Sequence, residues 1–258
     1  MGDEPLVRAV SLEKWFGPTH AVRGVNLDVR AGEIVGLLGP NGAGKTTTLR
    51  MLSAVLTPSA GTAFIAGSCV ATHPLGVRRA IGFLTGGTAL YVRLTPREIL
   101  RYFGRLYDCP PDTIEERSAV LIRDLSMTGF ADRPCGTLST GQRQRANIAR
   151  ALIHDPPVLV FDEPTLGLDI AGARFILDFL HGARARRKAI LFSSHTIGDI
   201  EALCDRIAIL CTGRIATLAP RTEILAQTGK ATLAEAFLSI VDAFEKDGQP
   251  SGVPAELN

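Results

Sequence analysis

The run Gly39-Pro40-Asn41-Gly42-Ala43-Gly44-Lys45-Thr46 fits G-x-x-x-x-G-K-[ST], a loop that cradles polyphosphates. Glycines at 39, 42 and 44 let the backbone take positive φ and approach an anion closely. Loop amides and the N-terminus of the following helix then supply donors and a partial positive charge. In such a loop Lys45 reaches the β- and γ-phosphates, and the Thr46 hydroxyl ligates Mg²⁺. Downstream, Val158-Leu159-Val160-Phe161 leads into Asp162-Glu163. An apolar strand delivering two acids at its carboxyl end is where α/β sheets place ligand sites. Asp162 is the Mg²⁺ ligand in that reading, and Glu163 faces the attacking water. The chemistry these residues point to is phosphoryl transfer from a nucleoside triphosphate.

Two further clusters admit more than one reading. Ser139-Thr140-Gly141-Gln142 heads a helix, with Ser139 as N-cap and Gly141 close behind. It is either a capped helix with a solvated Arg143, Arg145 and Arg150 face, or a second place where backbone donors meet an anion. Ser193-Ser194-His195 ends another apolar run. A lone histidine is usually structural; one at the end of a strand parallel to that of Asp162 lies on the same catalytic edge.

These groups need a parallel sheet to position them. Ile34 to Leu38 reads as the buried strand entering the phosphate loop, and Thr46 to Leu52 as the helix leaving it, closed by Pro58 and Gly61. Thr62 to Ala66 reads as a return strand. Leu6 to Val10 and Val25 to Val29 alternate apolar and polar residues, as an antiparallel pair does. Between them Lys14-Trp15-Phe16-Gly17 offers aromatics for core packing or for stacking a flat base. Ile81 to Leu84, Val158 to Glu163, Ala189 to Ser194 and Arg206 to Leu210 read as further strands.

Residues from about 88 to 150 read as helical. Thr95-Pro96-Arg97-Glu98 combines an N-cap, Pro at N1 and a capping-box acid at N3, with Ile99, Phe103 and Leu106 on the buried face. Asp112 to Leu125 forms a second helix with Ile114, Leu121 and Leu125 inward, and Asp155-Pro156-Pro157 stops the helix headed by Ser139. That shift within an α/β pattern implies a helical subdomain inserted in a sheet domain. Arg184 to Lys188 reads as a solvated basic turn. Thr232 and Glu235 form another capping box, with Leu233, Phe237, Ile240 and Phe244 on one face.

The chain has 258 residues and a formal charge of +2, which suits no strongly charged partner, so no nucleic acid is expected. No apolar run approaches the roughly 18 residues of a membrane span. Met1 to Pro5 has neither a basic nor an apolar leader segment, so no export signal is expected. Cys69, Cys109, Cys135, Cys204 and Cys211 are scattered without C-x-x-C, as reduced thiols of a cytosolic protein are.

In this order, over about residues 5 to 240, the motifs resemble the ATP-binding cassette (ABC) ATPases. Gly39 to Thr46 looks like their Walker A, and Leu138 to Gln142 like their LSGGQ signature with Thr140 replacing a glycine. Val158 to Glu163 looks like Walker B with its catalytic glutamate, Gly167-Leu168-Asp169 like the D-loop, and His195 like the switch histidine. Phe16 sits where the family stacks adenine. The signature precedes Walker B by 162 − 139 = 23 residues, which sets this family apart from other P-loop proteins. Leu233 to Leu238 is similar to ABC-2-type exporter subunits, including sodium-efflux and drug-export ATPases.

The resemblance implies an α/β fold: a P-loop NTPase (RecA-like) core with an antiparallel β subdomain and an inserted α-helical subdomain. One nucleotide-binding domain would span 1–240, with its core in 1–87 and 155–230, its helical subdomain at about 88–154, and a disordered tail over 241–258. The cofactors implied are ATP and Mg²⁺. Phe16, Gly39, Pro40, Asn41, Gly42, Ala43, Gly44, Lys45, Thr46 and Thr47 would hold ATP, with Ser139, Gly141 and Gln142 of a second chain closing over it. Thr46 and Asp162 would hold the metal, and Glu163, His195 and Lys45 would carry catalysis. The partners implied are an integral membrane permease subunit and a second copy of the chain or a homologous ATPase subunit. The place implied is the cytoplasmic face of the cell membrane, held peripherally. One position departs from the family: Gly86 stands where a glutamine normally contacts Mg²⁺ and the lytic water, with Thr85 before it. Two alternatives compete with the exporter reading. One is a soluble ABC ATPase acting on ribosomes or DNA; the other, motivated by Gly86, is a slow-hydrolysing regulatory nucleotide-binding module.

Overall fold

Every residue of Ile34–Leu38 is buried, the mark of a strand covered on both faces. The computed structural model describes residues 4–85 and 89–247. In chain order its strands are β1 (Val7–Phe16), β2 (Thr19–Val29), β3 (Ile34–Leu38), β4 (Ala60–Ile65), β5 (Ser68–Cys69), β6 (Ile81–Leu84), β7 (Val158–Asp162), β8 (Ala189–Ser193), β9 (Arg206–Cys211) and β10 (Arg214–Ala219). The helices are α1 (Lys45–Leu52), α2 (Pro74–Ala80), α3 (Pro96–Leu106), α4 (Pro111–Asp124), α5 (Thr140–Leu152), α6 (Ile170–Ala185), α7 (Ile197–Leu203), α8 (Arg221–Thr228) and α9 (Leu233–Asp247).

A six-stranded sheet has the order β10-β9-β3-β8-β7-β6, and a four-stranded sheet the order β2-β1-β4-β5. In the larger sheet all neighbours are parallel except β10, which runs antiparallel to β9. The smaller sheet is antiparallel throughout. Period-two alternation divides the larger sheet's residues between two cores. Ile34, Leu159, Phe161, Ile190, Phe192 and Ile207 pack with the helical side of the molecule. Val35, Leu37, Val160, Leu191 and Leu210 pack with Leu49 and Leu52 of α1 and with Val7, Leu12 and Val25 of the antiparallel sheet. Five parallel strands put their carboxyl ends on one edge. The phosphate loop, Glu163 and His195 all leave the sheet there.

Helices α3 to α5 occupy the interval between β6 and β7, as the composition shift implies. The capping box on α3 forms as expected: Thr95 Oγ1 accepts from Glu98 N at 3.2 Å, and Glu98 Oε2 accepts from Thr95 N at 2.8 Å. Its buried face is Ile99 and Leu100, with Phe103 partly covered; Leu106 is 62% exposed, contrary to expectation. The eleven-residue helix ends at that position, so Leu106 has no further turn to carry it inward.

Other expectations shift in detail. Helix α1 stops at Leu52, well before Pro58, and Gly61 lies inside β4. That strand pairs with β1 in the antiparallel sheet rather than returning to the parallel one. The basic run is not a free solvated turn: Arg184 pairs with Asp205 at 2.8 Å, Arg186 with Asp124 at 3.5 Å and Lys188 with Asp155 at 2.7 Å. Helix α9 forms behind its Thr232–Glu235 capping box and continues through Asp247, so a disordered tail from 241 is wrong for 241–247. The driving force is apolar: Leu233 and Ala236 are fully buried, and Phe237, Ile240, Val241 and Phe244 pack on the helical-side core. Residues 248–258, the rest of the expected tail, lie outside the described residues, as does Gly86.

One glycine fixes a helix that matters for the site. A Cβ on Gly36 of β3 would come within 2.5 Å of Cys204 Sγ and 2.7 Å of Ile200 Cδ1. Only Gly lets α7 lie this close on the sheet, directly behind Ser194 and His195.

Candidate active site

The phosphate loop turns where β3 ends and α1 begins. Gly44 takes φ of 101°, in the left-handed region, and a Cβ there would meet the Ala21 carbonyl at 2.8 Å. Only glycine satisfies both constraints. Gly213 N donates to Ala43 O at 3.0 Å, and Arg23 N donates to Gly213 O at 2.7 Å. The loop is thus braced by the β9–β10 turn and by β2. Above it opens a cavity of about 600 Å³ lined by Ala21, Asn41 to Thr47, Glu163, Leu166 and His195.

Lys45 is 7% exposed and folded into its own loop, donating to Gly39 O at 2.6 Å and Pro40 O at 3.2 Å. Burial pulls its ammonium below the ordinary lysine value, while Glu163 and Asp162 push the other way. Gly39 and Pro40 therefore serve as carbonyl partners of Lys45 and are not among the lining residues.

The acids are set by the neighbouring strand. Asp162 lies opposite Ser193 in the β7–β8 register and accepts from its hydroxyl at 2.7 Å. The same Ser193 Oγ accepts from Glu163 N at 3.0 Å, and Ser193 O lies 3.2 Å from that amide. These contacts hold Glu163 at φ of 53°, a conformation that costs a non-glycine residue about 1–3 kcal/mol. The bend turns its carboxylate toward His195, whose Nδ1 lies 2.6 Å from Glu163 Oε2. Asp162 is 6% exposed beneath the cavity. The Thr46 hydroxyl belongs to the cavity lining, and carboxylate and hydroxyl oxygens are the hard donors that Mg²⁺ prefers.

Phe16 ends β1, 48% exposed, with Lys14 Nζ 5.4 Å from its ring centre. It does not line the cavity, although Ala21 of the same hairpin does. Trp15 instead stacks on His20 at 3.6 Å.

Ser139, Gly141 and Gln142 are elsewhere. Ser139 and Gln142 close a capping box: Gln142 N donates to Ser139 Oγ at 3.3 Å and Ser139 N to Gln142 Oε1 at 3.0 Å. They line a second cavity of about 710 Å³ with Thr140, Gly141, Arg145, Gly167, Leu168, Asp169 and Phe175. The two cavities share no lining residue.

Sequence reasoning named Ser193 but gave it no role, and passed over Gln142 as a cap. The S-x-x-Q spacing was a sufficient signal for the cap. Ser193 needed the strand register, which periodicity does not supply.

A glycine loop on a parallel-sheet edge, with carboxylates on the second strand away, defines a P-loop nucleoside triphosphatase. A family model described as ABC transporter matches residues 22–166, and the chain belongs to that family. It binds and hydrolyses ATP. The chain is 44% identical over 196 residues to the ABC transporter ATP-binding protein NatA of Bacillus subtilis, covering 76% of this chain and 80% of that one. Over 214 residues it is 39% identical to the Nod factor export ATP-binding protein I of Ralstonia nicotianae, covering 83% and 67%. A solved dimeric ATP-binding cassette in a post-hydrolysis state with ADP and phosphate superposes with a TM-score of 0.75 at 26% identity, covering 83% of this chain and 98% of that one.

Proposed function

We propose that this chain is the ATP-hydrolysing subunit of a membrane exporter. Two copies, or one copy and a homologous subunit, would close around two ATP molecules, and a separate integral membrane permease would be driven by that closure. The observation that carries this reading is that the two cavities share no lining residue, so Ser139 and Gly141 would act on a nucleotide held by another chain. Export is supported by the similarity to the Nod factor export ATP-binding protein I. Among the described residues no helix is long and apolar enough to cross a membrane, so a permease would be a different chain. We place the protein peripherally on the cytoplasmic face.

A docking surface for the permease is available beside the helical subdomain. Tyr91 and Tyr102 are exposed and meet edge to face at 5.9 Å, and Val92, which follows Tyr91, is exposed as well. Phe103, in edge contact with Tyr102, lines a cavity of about 290 Å³ with Val55, Phe83 and Tyr107. Arg78 and Arg150 line the same cavity, so the notch offers apolar and aromatic surface with two cations at its wall, which suits a partner segment that is apolar and carries an acidic or carbonyl acceptor.

In the reaction, loop amides of Gly42 to Thr46 and the Lys45 ammonium hold the β- and γ-phosphates. Lys45 exchanges the carbonyls of Gly39 and Pro40 for phosphate oxygens. Thr46 and Asp162 would hold Mg²⁺, which neutralises phosphate charge when bound. Glu163 orients a water and takes its proton as the oxygen attacks the γ-phosphorus and the bond to the β–γ bridging oxygen breaks. Carrying a proton on each ring nitrogen, His195 would donate from Nδ1 to the Glu163 carboxylate and from Nε2 to the γ-phosphate. Ser139 and Gly141 of the facing chain complete the anion cage. Phe16 is the proposed adenine platform.

Mg²⁺-ATPase activity of the wild type against Glu163→Gln tests the chemistry. A fall of about 10²–10³-fold with ATP binding retained is expected. Wild-type turnover no greater than the variant's would favour the regulatory module instead. The partner is tested by affinity capture of Glu163→Gln with ATP from gently solubilised native membranes. A multi-span protein is the expected companion; ribosomal or DNA-repair proteins would overturn the exporter reading.

A further inference from the structure

Behind the Glu163–His195 pair, a second carboxylate gathers polar contacts. Asp199 Oδ2 accepts from Thr165 Oγ1 at 2.6 Å and from Ser194 Oγ at 3.3 Å. Ser194 is fully buried and directly precedes His195, and its Oγ accepts from Thr196 N at 3.0 Å. The Ser194 hydroxyl also lies 3.4 Å from Thr196 O, so Asp199 and that carbonyl share its proton. Thr165 opens the loop between Glu163 and α6. That loop is held from the other side by α5, where Gln144 Nε2 donates to Pro164 O at 2.6 Å.

The loop joins the two cavities. Leu166 lines the one over the phosphate loop, while Gly167, Leu168 and Asp169 line the one beside Ser139. Asp199 itself comes from a fixed support, since α7 rests on β3 at Gly36. Hydrogen bonds to a carboxylate are roughly twice as strong as neutral ones. A short one therefore makes loop and histidine turn move as a unit.

We propose that Asp199 is a positioning residue for ATP hydrolysis: it ties the loop bridging the two cavities to the turn that aims His195. Seating of residues 167–169 against a facing chain is thereby passed to His195 and, through it, to the Glu163 carboxylate. This rests on the roles proposed above for Glu163 and His195. A merely structural Asp199, satisfying two hydroxyls, would affect stability and leave catalysis alone.

The test compares Asp199→Ala, Asp199→Glu, Thr165→Val and Asp199→Ala/Thr165→Val with wild type in steady-state Mg²⁺-ATPase, ATP binding and thermal unfolding. Asp199→Ala lowers kcat about tenfold while the Kd for ATP stays within about twofold, because the phosphate loop is untouched. Thr165→Val lowers kcat in the same way but less. The double variant is no worse than Asp199→Ala, since both remove one tie, and Asp199→Glu recovers part of the loss. Unchanged kcat, losses that multiply in the double variant, or a kcat loss matched by weaker ATP binding would overturn the proposal. Should Asp199→Ala fail to fold, Thr165→Val decides by the same kcat and Kd criteria. An active wild type with an indifferent Asp199→Ala sinks this proposal alone. A wild type no faster than Glu163→Gln sinks the hydrolytic reading and this one with it.

Discussion

The cavity over the phosphate loop and the cavity beside Ser139 differ in what their residues are made to bear. Around the first, Lys45 and Asp162 are buried charges and Glu163 is bent into left-handed backbone, each held there by a named partner. Around the second, Ser139 and Thr140 are exposed and Ser139 and Gln142 are occupied in capping their own helix. Its charged members are likewise satisfied locally: Arg145 lies over the Phe175 ring at 4.0 Å, and Asp169 caps α6 through Gly172 N. Desolvation and strain are tolerated where a ligand repays them. The first cavity is therefore built to bind unaided. The second is a relaxed surface, as suits one that, in the reading proposed above, meets the nucleotide of another chain.

The largest effect that could break this contrast is at Lys45. Lys45→Ala removes the buried cation from the first cavity and should weaken ATP binding about 100-fold, as the loss of charge-assisted bonds to phosphate implies. Titration with a fluorescent ATP analogue reads this directly. Undiminished affinity would mean that the loop amides suffice and that burial of Lys45 serves folding.

Ser139 should behave in the opposite way. Ser139→Ala leaves ATP affinity of the single chain unchanged but lowers turnover about tenfold, the low end of the value of one hydrogen bond to a charged group. It also loses a cap worth about 1 kcal/mol. Ser139→Asn, which keeps a capping side chain, separates the two: it should restore stability without restoring turnover. Sedimentation with ATP should show fewer dimers for both variants. Weakened ATP binding in dilute single chains would instead place Ser139 in its own chain's site and erase the distinction between the cavities.

The same contrast governs what the sequence made legible. The first cavity is written in local pattern: strand, glycine loop, lysine, and acids ending an apolar run are each contiguous. Strand existence, the inserted helices and three capping residues (Thr95, Ser139 and Thr232) were readable for the same reason. What escaped depends on register and on packing between distant segments. Ser193 acts because it lies opposite Asp162, and Asp199 because α7 settles on Gly36. Neither relation leaves a periodic trace. Strand β10 was missed because Arg214 to Ala219 is only half-buried, so its apolar pattern is weak. Leu106 misled because helical spacing assigns a face without saying where the helix ends.

A smaller effect sharpens the contrast from the far end of the signature helix. His154, just past α5, stacks on Tyr107 at 3.7 Å, and its Nε2 lies 3.0 Å from Ile81 O. It thereby fastens the helix that carries Ser139 to the strand β6. Burial, with help from Arg117 and Lys188, lowers its pKa from 6.5 to about 4, against the opposing bond to Ile81 O and the charge of Asp155. Above pH 6.5 the ring is neutral in both folded and unfolded chains, and no penalty arises. As pH falls from 6.5 toward 4 the unfolded chain takes up a proton that the folded chain refuses, so stability is lost across that window. The loss should reach about 1–2 kcal/mol by pH 5. Urea unfolding at pH 7.5 and pH 5 should show it, and His154→Gln, which retains a donor for the Ile81 carbonyl, should flatten that slope. ATP affinity across the same range should not follow His154, because the phosphate loop is braced by β2 and the β9–β10 turn instead. A slope unchanged in His154→Gln would move the acid sensitivity away from the signature helix. An ATP affinity that tracked His154 would show that the helix headed by Ser139, and not only the loop tied by Asp199, couples the two cavities within the single chain.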